Sequence, residues 1–198
     1  MIDLYTWSTP NGRKISIMLE ELGLEYKVNP INIIKDEQFS NSFLKISPNN
    51  KIPAIIDHDN NTTLMESGAI LLYLANKYKK FLPNNIDDRN KCIEWLFFQA
   101  ASQGPMLGQA HHFLKFNKGK SEYAETRYKD EAERLYKVMD KRLSFSDYLG
   151  GDEYSIADIS SWPWVARFEW HQVDITKYKY VTLWFQKISK RKAVLKGY

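Results

Sequence analysis

Three short stretches carry residue types that could do chemistry together. In Met65-Glu66-Ser67-Gly68 a carboxylate precedes a hydroxyl at the start of an amphipathic run. Ser67 reads as an N-cap, and a helix N-terminus offers unpaired N–H groups and partial positive charge that take a carboxylate. Glu66 supplies the opposite sign, suited to an ammonium group, so the pair fits the zwitterionic end of an amino acid or a γ-glutamyl group. The plain alternative is a Ser67 that only caps and a Glu66 that only faces water. In Asn49-Asn50-Lys51-Ile52-Pro53-Ala54 a proline opens a strand after a polar loop. A cis bond there would turn the Ile52 N–H and C=O outward to pair with an extended peptide; a trans bond makes Pro53 an ordinary edge-strand proline. In Ser8-Thr9-Pro10-Asn11-Gly12, Pro10 suits the first helical position, which puts Thr9 at the N-cap and Asn11 in the first turn. A hydroxyl, an amide and the helix dipole at one point could stabilise a bound thiolate, or Thr9 could simply cap.

These stretches need elements to hold them. Residues 2–7 are rich in β-formers, and the helix opened by Pro10 carries Ile15, Met18, Leu19 and Leu22 on one face. Gly23 is placed to end that helix, and residues 25–31 read as a second strand, parallel to the first across a βαβ unit. A short helical segment near 38–45 follows. Residues 54–57 and 62–65, joined by the polar turn 58–61, suggest a hairpin. From Ser67 a helix runs with Ile70, Leu71, Leu74 and Tyr78 along one face. The order is β-α-β, short helix, β-β-α over residues 1–80. Residues 81–88 have linker composition, and 89–198 read as all-helical, with helices expected at 89–103, 122–143, 156–167 and 181–188.

Composition removes several classes of function. Twenty-eight basic and 24 acidic residues are spread along the chain, so no nucleic-acid footprint is expected. No apolar run approaches a membrane span, and the opening residues do not read as a secretory leader, so a soluble, cytoplasmic protein is expected. The lone Cys92 excludes a disulfide scaffold, a CxxC pair and a cysteine-rich zinc site. Cys92 falls on an apolar helix and reads as buried and inert. The adjacent His111 and His112 point in different directions on a helix and lack further ligands, so no metal is expected. They read instead as lining a substrate pocket or packing beside Phe113. Trp95, Phe97, Phe98, Trp162, Trp164 and Trp170 read mostly as core. Ser155 and Asp158 form a capping box, and the basic stretch 187–196 reads as a solvated helix end.

Taken together, the order and spacing of these elements and motifs resemble cytosolic glutathione transferases. Longer stretches look like the bacterial Nu class: Thr9-Pro10-Asn11-Gly12 with the helix behind it, residues 43–56 ending in Lys51-Ile52-Pro53-Ala54-Ile55-Ile56, residues 104–113, and residues 150–159 followed by Trp162-Pro163-Trp164. The resemblance spans nearly the whole chain. It implies an α/β thioredoxin-like N-terminal domain (βαβ-α-ββα) followed by an all-α C-terminal domain, assembled as a homodimer.

It also implies roles for residues. Thr9 and Asn11 would lie beside the glutathione sulfur, where other classes use Tyr or Ser; Ser8 is the competitor to Thr9, and Tyr5 reads as a packed aromatic. Gln38 would contact the glycyl end or backbone of the tripeptide. Lys51 and the main chain of Ile52, ahead of a cis-Pro53, would hold the cysteinyl segment, and Glu66 and Ser67 the γ-glutamyl end. Arg127, or else Arg134, would reach the ligand of the neighbouring subunit. A thioredoxin-like site without a cysteine must import its sulfur, and glutathione is the carrier. The resemblance points to glutathione-dependent reduction of small disulfides, with weak conjugating or peroxidase activity beside it. The alternatives are conjugation of electrophiles and a non-catalytic glutathione-binding module.

Overall fold

In the computed structural model, which describes all 198 residues, the first strand β1 (Ile2–Thr6) lies inside a four-stranded sheet. The strand order is β2-β1-β3-β4, with β2 at Tyr26–Pro30, β3 at Ala54–Asp57 and β4 at Thr62–Met65. β1 runs parallel to β2 with Ile2 opposite Tyr26, as the intervening helix α1 (Pro10–Leu22) requires. β3 pairs antiparallel with β1 and with β4, which makes the expected hairpin. Between β2 and β3 the expected single helical segment is three pieces: 3-10 turns at Ile33–Lys35 and Glu37–Phe39, then α2 at Asn41–Leu44. Asn32 and Ser40 side chains cap the first turn and α2, and such local bonds favour turns over a longer helix.

The hairpin is fastened to the following helix, α3 (Ser67–Tyr78), by one buried carboxylate. Asp57 accepts from Lys77 Nζ at 2.6 Å, from Tyr73 Oη at 2.8 Å and from the Asp59 N–H at 3.1 Å. Burial would raise its pKa, but these donors outweigh burial and lower it.

Helix α1 is buried on more than the one stripe its sequence predicts. Lys14 to Leu19 are buried without a break, because α1 lies against α3 and against the C-terminal helix α9 (Lys192–Gly197). Gly197 meets the backbone of Ile17 so closely that a Cβ there would sit 2.7 Å from it. Arg191 pairs with Glu21, and Lys196 with Glu20 at 2.8 Å. The tail, expected as a solvated helix end of the second half, therefore groups with the first: one unit comprises Met1–Lys80 and Arg191–Tyr198, the other Phe81–Lys190. Its acidic partners lie some 170 residues away in the chain, where no local pattern reveals them.

The second unit is helical throughout. α4 (Ile86–Phe98) begins inside the stretch read as a linker; Asn85 Oδ1 accepts from the N–H groups of Asp87 and Asp88, and these two acids occupy the first turn, where the dipole favours them. The helical path then runs from 86 to 116 through π-helical turns at Gln99–Gln103 and His111–Phe116, with α5 (Gly104–Ala110) between them. Pro105 cannot donate and crowds the preceding turn, and the widened π turn absorbs that. α6 (Glu122–Leu143) buries Ala132, Leu135, Tyr136, Met139 and Leu143. Its Asp140 caps the next-but-one helix, α8 (Lys179–Ser189), by accepting from the Tyr180 and Val181 N–H groups. Between them α7 (Ile156–Val165) starts with the expected capping box of Ser155 and Asp158. Asp158 is fully buried and also accepts from Leu149 N–H and Trp184 Nε1.

Of the aromatics, Trp95, Trp162 and Trp164 are buried as expected, whereas Phe97 is exposed. No helix of the structure is long and apolar enough to cross a membrane. The histidine pair separates: His112 packs edge-on against Phe113, and His111 stacks on His171 at 4.7 Å and on Trp164 at 5.4 Å. Burial pushes the His111 pKa down to about 4, with Arg167 adding to the effect, and pushes His171 well below its ordinary value. Unfolding lets these rings take up protons near pH 6.5, so stability is full above that pH and is lost as pH falls toward 4. Thermal melts across this range should show the midpoint dropping with acid, His111 alone accounting for up to about 3 kcal/mol. A His111→Phe variant should melt with a shallower acid dependence than the wild type.

Candidate functional site

The two helices that begin at the sheet's C-terminal edge of β1 and at the end of β4 carry the residues singled out in the sequence. At the start of α1, Thr9 takes the N-cap in extended conformation, and the Gly12 N–H donates to its Oγ1 at 3.2 Å. That bond uses a lone pair of the hydroxyl and leaves its proton to be given to something else. Pro10 stands at the first helical position, and Asn11 is half-buried in the first turn. Ser8 is exposed, and its Oγ accepts from Arg13 at 2.9 Å. Tyr5 sits inside β1 and packs on Phe43 at 6.3 Å, with its phenol raised by burial and by Asp3.

At the second helix the structure shifts the expected cap by one residue. Glu66 is the N-cap of α3 and Ser67 is its first helical residue. Glu66 is exposed and has φ +68°, a left-handed conformation that costs an ordinary side chain energy and often marks a functional turn. Ser67 is buried, and its Oγ accepts from Lys14 Nζ at 3.1 Å. Lys14 is only 2% exposed, and burial lowers its pKa to about 7 despite the opposing charge of Glu66. Lys14 belongs to none of the sequence motifs quoted above. The signal is there: Lys14 lies four residues before Met18, inside the apolar stripe, where a lysine is out of place.

The Ile52–Pro53 bond is cis. Ile52 precedes β3, and neither its N–H nor its C=O takes a backbone partner, so both remain to pair with an extended segment. The loop before it is held by Ser47, whose Oγ donates to Lys51 O at 2.8 Å, while the Lys51 side chain is exposed. Gln38 lies on the second 3-10 turn, its Nε2 donating to Asp36 at 3.3 Å and its Oε1 buried without a partner. Eight of the nine residues thus belong to the first unit. Arg127 is exposed on α6 in the second, lining a cavity of about 550 Å³ with Met106, Tyr123, Thr126, Tyr128, Glu131 and Arg134. Arg134 is already clamped by Glu131 at 2.7 and 2.8 Å. Cys92 is buried on α4, and desolvation raises its thiol.

Family models for the glutathione S-transferase N-terminal and C-terminal domains match residues 1–76 and 104–192. The chain is 48% identical over 198 residues to the disulfide-bond oxidoreductase YfcG of Escherichia coli, covering 98% of this chain and 92% of that protein. It belongs to the glutathione S-transferase family. A glutathione transferase family member from Pseudomonas fluorescens, solved with two glutathione bound, superposes with a TM-score of 0.93 at 39% identity over 99% of this chain and 91% of that one. A glutathione transferase from Pseudomonas putida, with one glutathione disulfide bound per subunit, gives 0.94 at 38% identity over 99% and 90%.

Gly12, present in the motif without a role of its own, gains one from the structure. A Cβ there would collide with Trp7 O and Thr6 Oγ1, so the first turn of α1 can approach β1 only without a side chain. Gly12→Ala should push that turn outward, lowering stability by about 2 kcal/mol in thermal melts and displacing Thr9 and Asn11. Unchanged stability would mean that the turn is not held against β1.

Proposed function

We propose that this chain is a glutathione-dependent thiol–disulfide oxidoreductase acting on small disulfides. The observation that carries the reading is a thioredoxin-like unit whose α1 N-terminus offers Thr9 and Asn11 but no thiol, while the one cysteine is buried in the other unit. The sulfur must therefore arrive with a ligand. Family membership and the resemblance to YfcG support glutathione as that ligand.

In this reading each residue has a task. The Thr9 hydroxyl proton, the Asn11 amide and the positive end of α1 stabilise the glutathione thiolate, which lowers its pKa toward ambient pH and raises the reactive fraction. The free N–H and C=O of Ile52 pair with the cysteinyl residue as one added strand rung, with Lys51 beside it. Gln38 serves the glycyl end or backbone, its unpartnered Oε1 accepting from the ligand. Glu66 takes the γ-glutamyl ammonium, and Ser67 with the α3 N-terminus takes the carboxylate. Two tripeptides held in line would make exchange nearly intramolecular. Two glutathione thiols are oxidised to one glutathione disulfide, and the substrate disulfide takes the two electrons and two protons to leave as two thiols. Weak conjugating or peroxidase activity is compatible with the same activated thiolate.

The working form is a cytoplasmic homodimer in which Arg127 of each subunit reaches the ligand of its neighbour. Arg134 is the poorer candidate because Glu131 already holds it.

Reduction of a small model disulfide by glutathione, followed through the glutathione disulfide released, tests the assignment. Thr9→Ala and Asn11→Ala should each lower kcat/KM by roughly 10- to 100-fold, and Cys92→Ser should leave it unchanged. Loss of activity in a folded Cys92→Ser would overturn the borrowed-sulfur reading. Tight binding of glutathione disulfide without turnover would favour a binding module. Arg127→Ala should weaken that binding about tenfold in a dimer that sedimentation shows still assembled.

A further inference from the structure

Lys14 sits where elementary electrostatics says a cation should not. It is nearly inaccessible on the second turn of α1, and its Nζ lies 3.1 Å from the Oγ of the residue that opens α3. Burial disfavours an ammonium, and the positive end of a helix disfavours it again. An uncharged side chain of the same length would avoid both costs. A cation kept at such a place gains most when an anion is bound at that helix end.

The charges on the elements packed around α1 are largely engaged with one another. On α3, Lys77 is held by Asp57 and Asp59, and on the α9 side Arg191 and Lys196 are held by Glu21 and Glu20. On β1, Asp3 bonds to His58, and the Tyr5 phenol, like that of Tyr73 on α3, is raised and therefore neutral near pH 7. Tyr78 closes α3, Lys192 opens α9 and Tyr198 follows it. The charge that favours the ammonium of Lys14 is Glu66, which is itself exposed, its backbone held in the left-handed region.

We propose that Lys14 is a positioning residue for the carboxylate at the γ-glutamyl end of the ligand: by donating to Ser67 Oγ at 3.1 Å it turns the Ser67 proton outward to the carboxylate, and it places a full positive charge behind the helix N-terminus that receives it. An ammonium can only donate, so the Ser67 oxygen must accept from it, and the hydroxyl proton is left for the ligand. The inference rests on the glutathione reading above and deepens it. In the free protein Lys14 is protonated only in part near pH 7. An arriving carboxylate favours the ammonium, so binding takes up a fraction of a proton and weakens as pH rises past 7.

The test is calorimetric titration of the full chain with S-methylglutathione, whose thiol cannot ionise. The second probe is S-methylated 4-aminobutyryl-cysteinyl-glycine, the same tripeptide without the γ-glutamyl α-carboxylate. Lys14→Met should weaken S-methylglutathione about tenfold, the worth of one charge-assisted hydrogen bond, and leave the analogue unchanged. Wild-type affinity for S-methylglutathione should fall between pH 6.5 and 8.5 by about tenfold in all, the same factor the charge is worth. In Lys14→Arg, whose charge does not titrate, the profile should be flat, which also controls for titration of the ligand.

Equal weakening of both probes in Lys14→Met, or identical pH profiles in wild type and Lys14→Arg, would overturn the assignment. If Lys14→Met does not fold, the wild-type and Lys14→Arg profiles decide alone. Failure of the wild type to bind S-methylglutathione would instead overturn the glutathione reading itself, whereas full binding by Lys14→Met would overturn only the role of Lys14.

Discussion

The hydrogen bond from Lys14 to Ser67 joins the two helices that the rest of the first unit is arranged to present. α1 begins with Thr9, Pro10 and Asn11, and α3 begins with Glu66 and Ser67. One buried bond, 53 residues apart in sequence, ties the second turn of one helix to the first residue of the other. The sheet, the Asp57–Lys77 ion pair and the docked α9 hold these helices from outside; the lysine holds them from within. The arrangement sacrifices stability, since burial depresses the Lys14 pKa to about 7 and Glu66 stays in a left-handed conformation. Sites that concentrate buried polarity and backbone strain are where ligands bind, because the ligand completes what folding left incomplete.

The chemistry proposed for this chain follows from where its sulfur is and is not. Cys92 is buried on α4 with its thiol raised, an environment that suppresses the thiolate. At the α1 N-terminus, where a thiolate would be stabilised, the chain offers a hydroxyl and an amide. Separating the reactive sulfur from the protein makes the protein a device for orientation and pKa adjustment. The free edge at Ile52, the orphaned Gln38 oxygen and the polarised Ser67 hydroxyl each await a group of stated polarity. In the proposed reading the first two receive a peptide backbone and the third a carboxylate.

The second unit uses its polar groups differently. Its helical path from 86 to 116 tolerates Pro105 through a π turn, and its acids serve helix starts: Asp158 on α7 and the Leu149 loop, Asp140 on α8. The His111–His171 stack, sealed by Trp164 and Trp170, keeps two imidazoles neutral and links stability to acid. The exposed face of α6, with Arg127, borders a cavity of about 550 Å³.

Much was determined by the sequence alone because it is written in local patterns. Pro10 and Gly23 bracket α1, the turn at 58–61 sets the hairpin, and Ser155 with Asp158 starts α7, each through bonds to residues a few positions away. The family's motifs, being contiguous, are legible in the same way. What tertiary structure decided is every feature whose partner lies far along the chain. Ser67 reads as a cap until Glu66 is seen to take that place. The basic tail reads as solvated until Glu20 and Glu21 are found beside it. Lys14 stands out of place beside the apolar stripe, but only the burial of all sides of α1 shows it turned inward onto Ser67. Local patterns record the bonds a residue makes with its neighbours in sequence; burial and long-range charge pairing arise only when the elements pack.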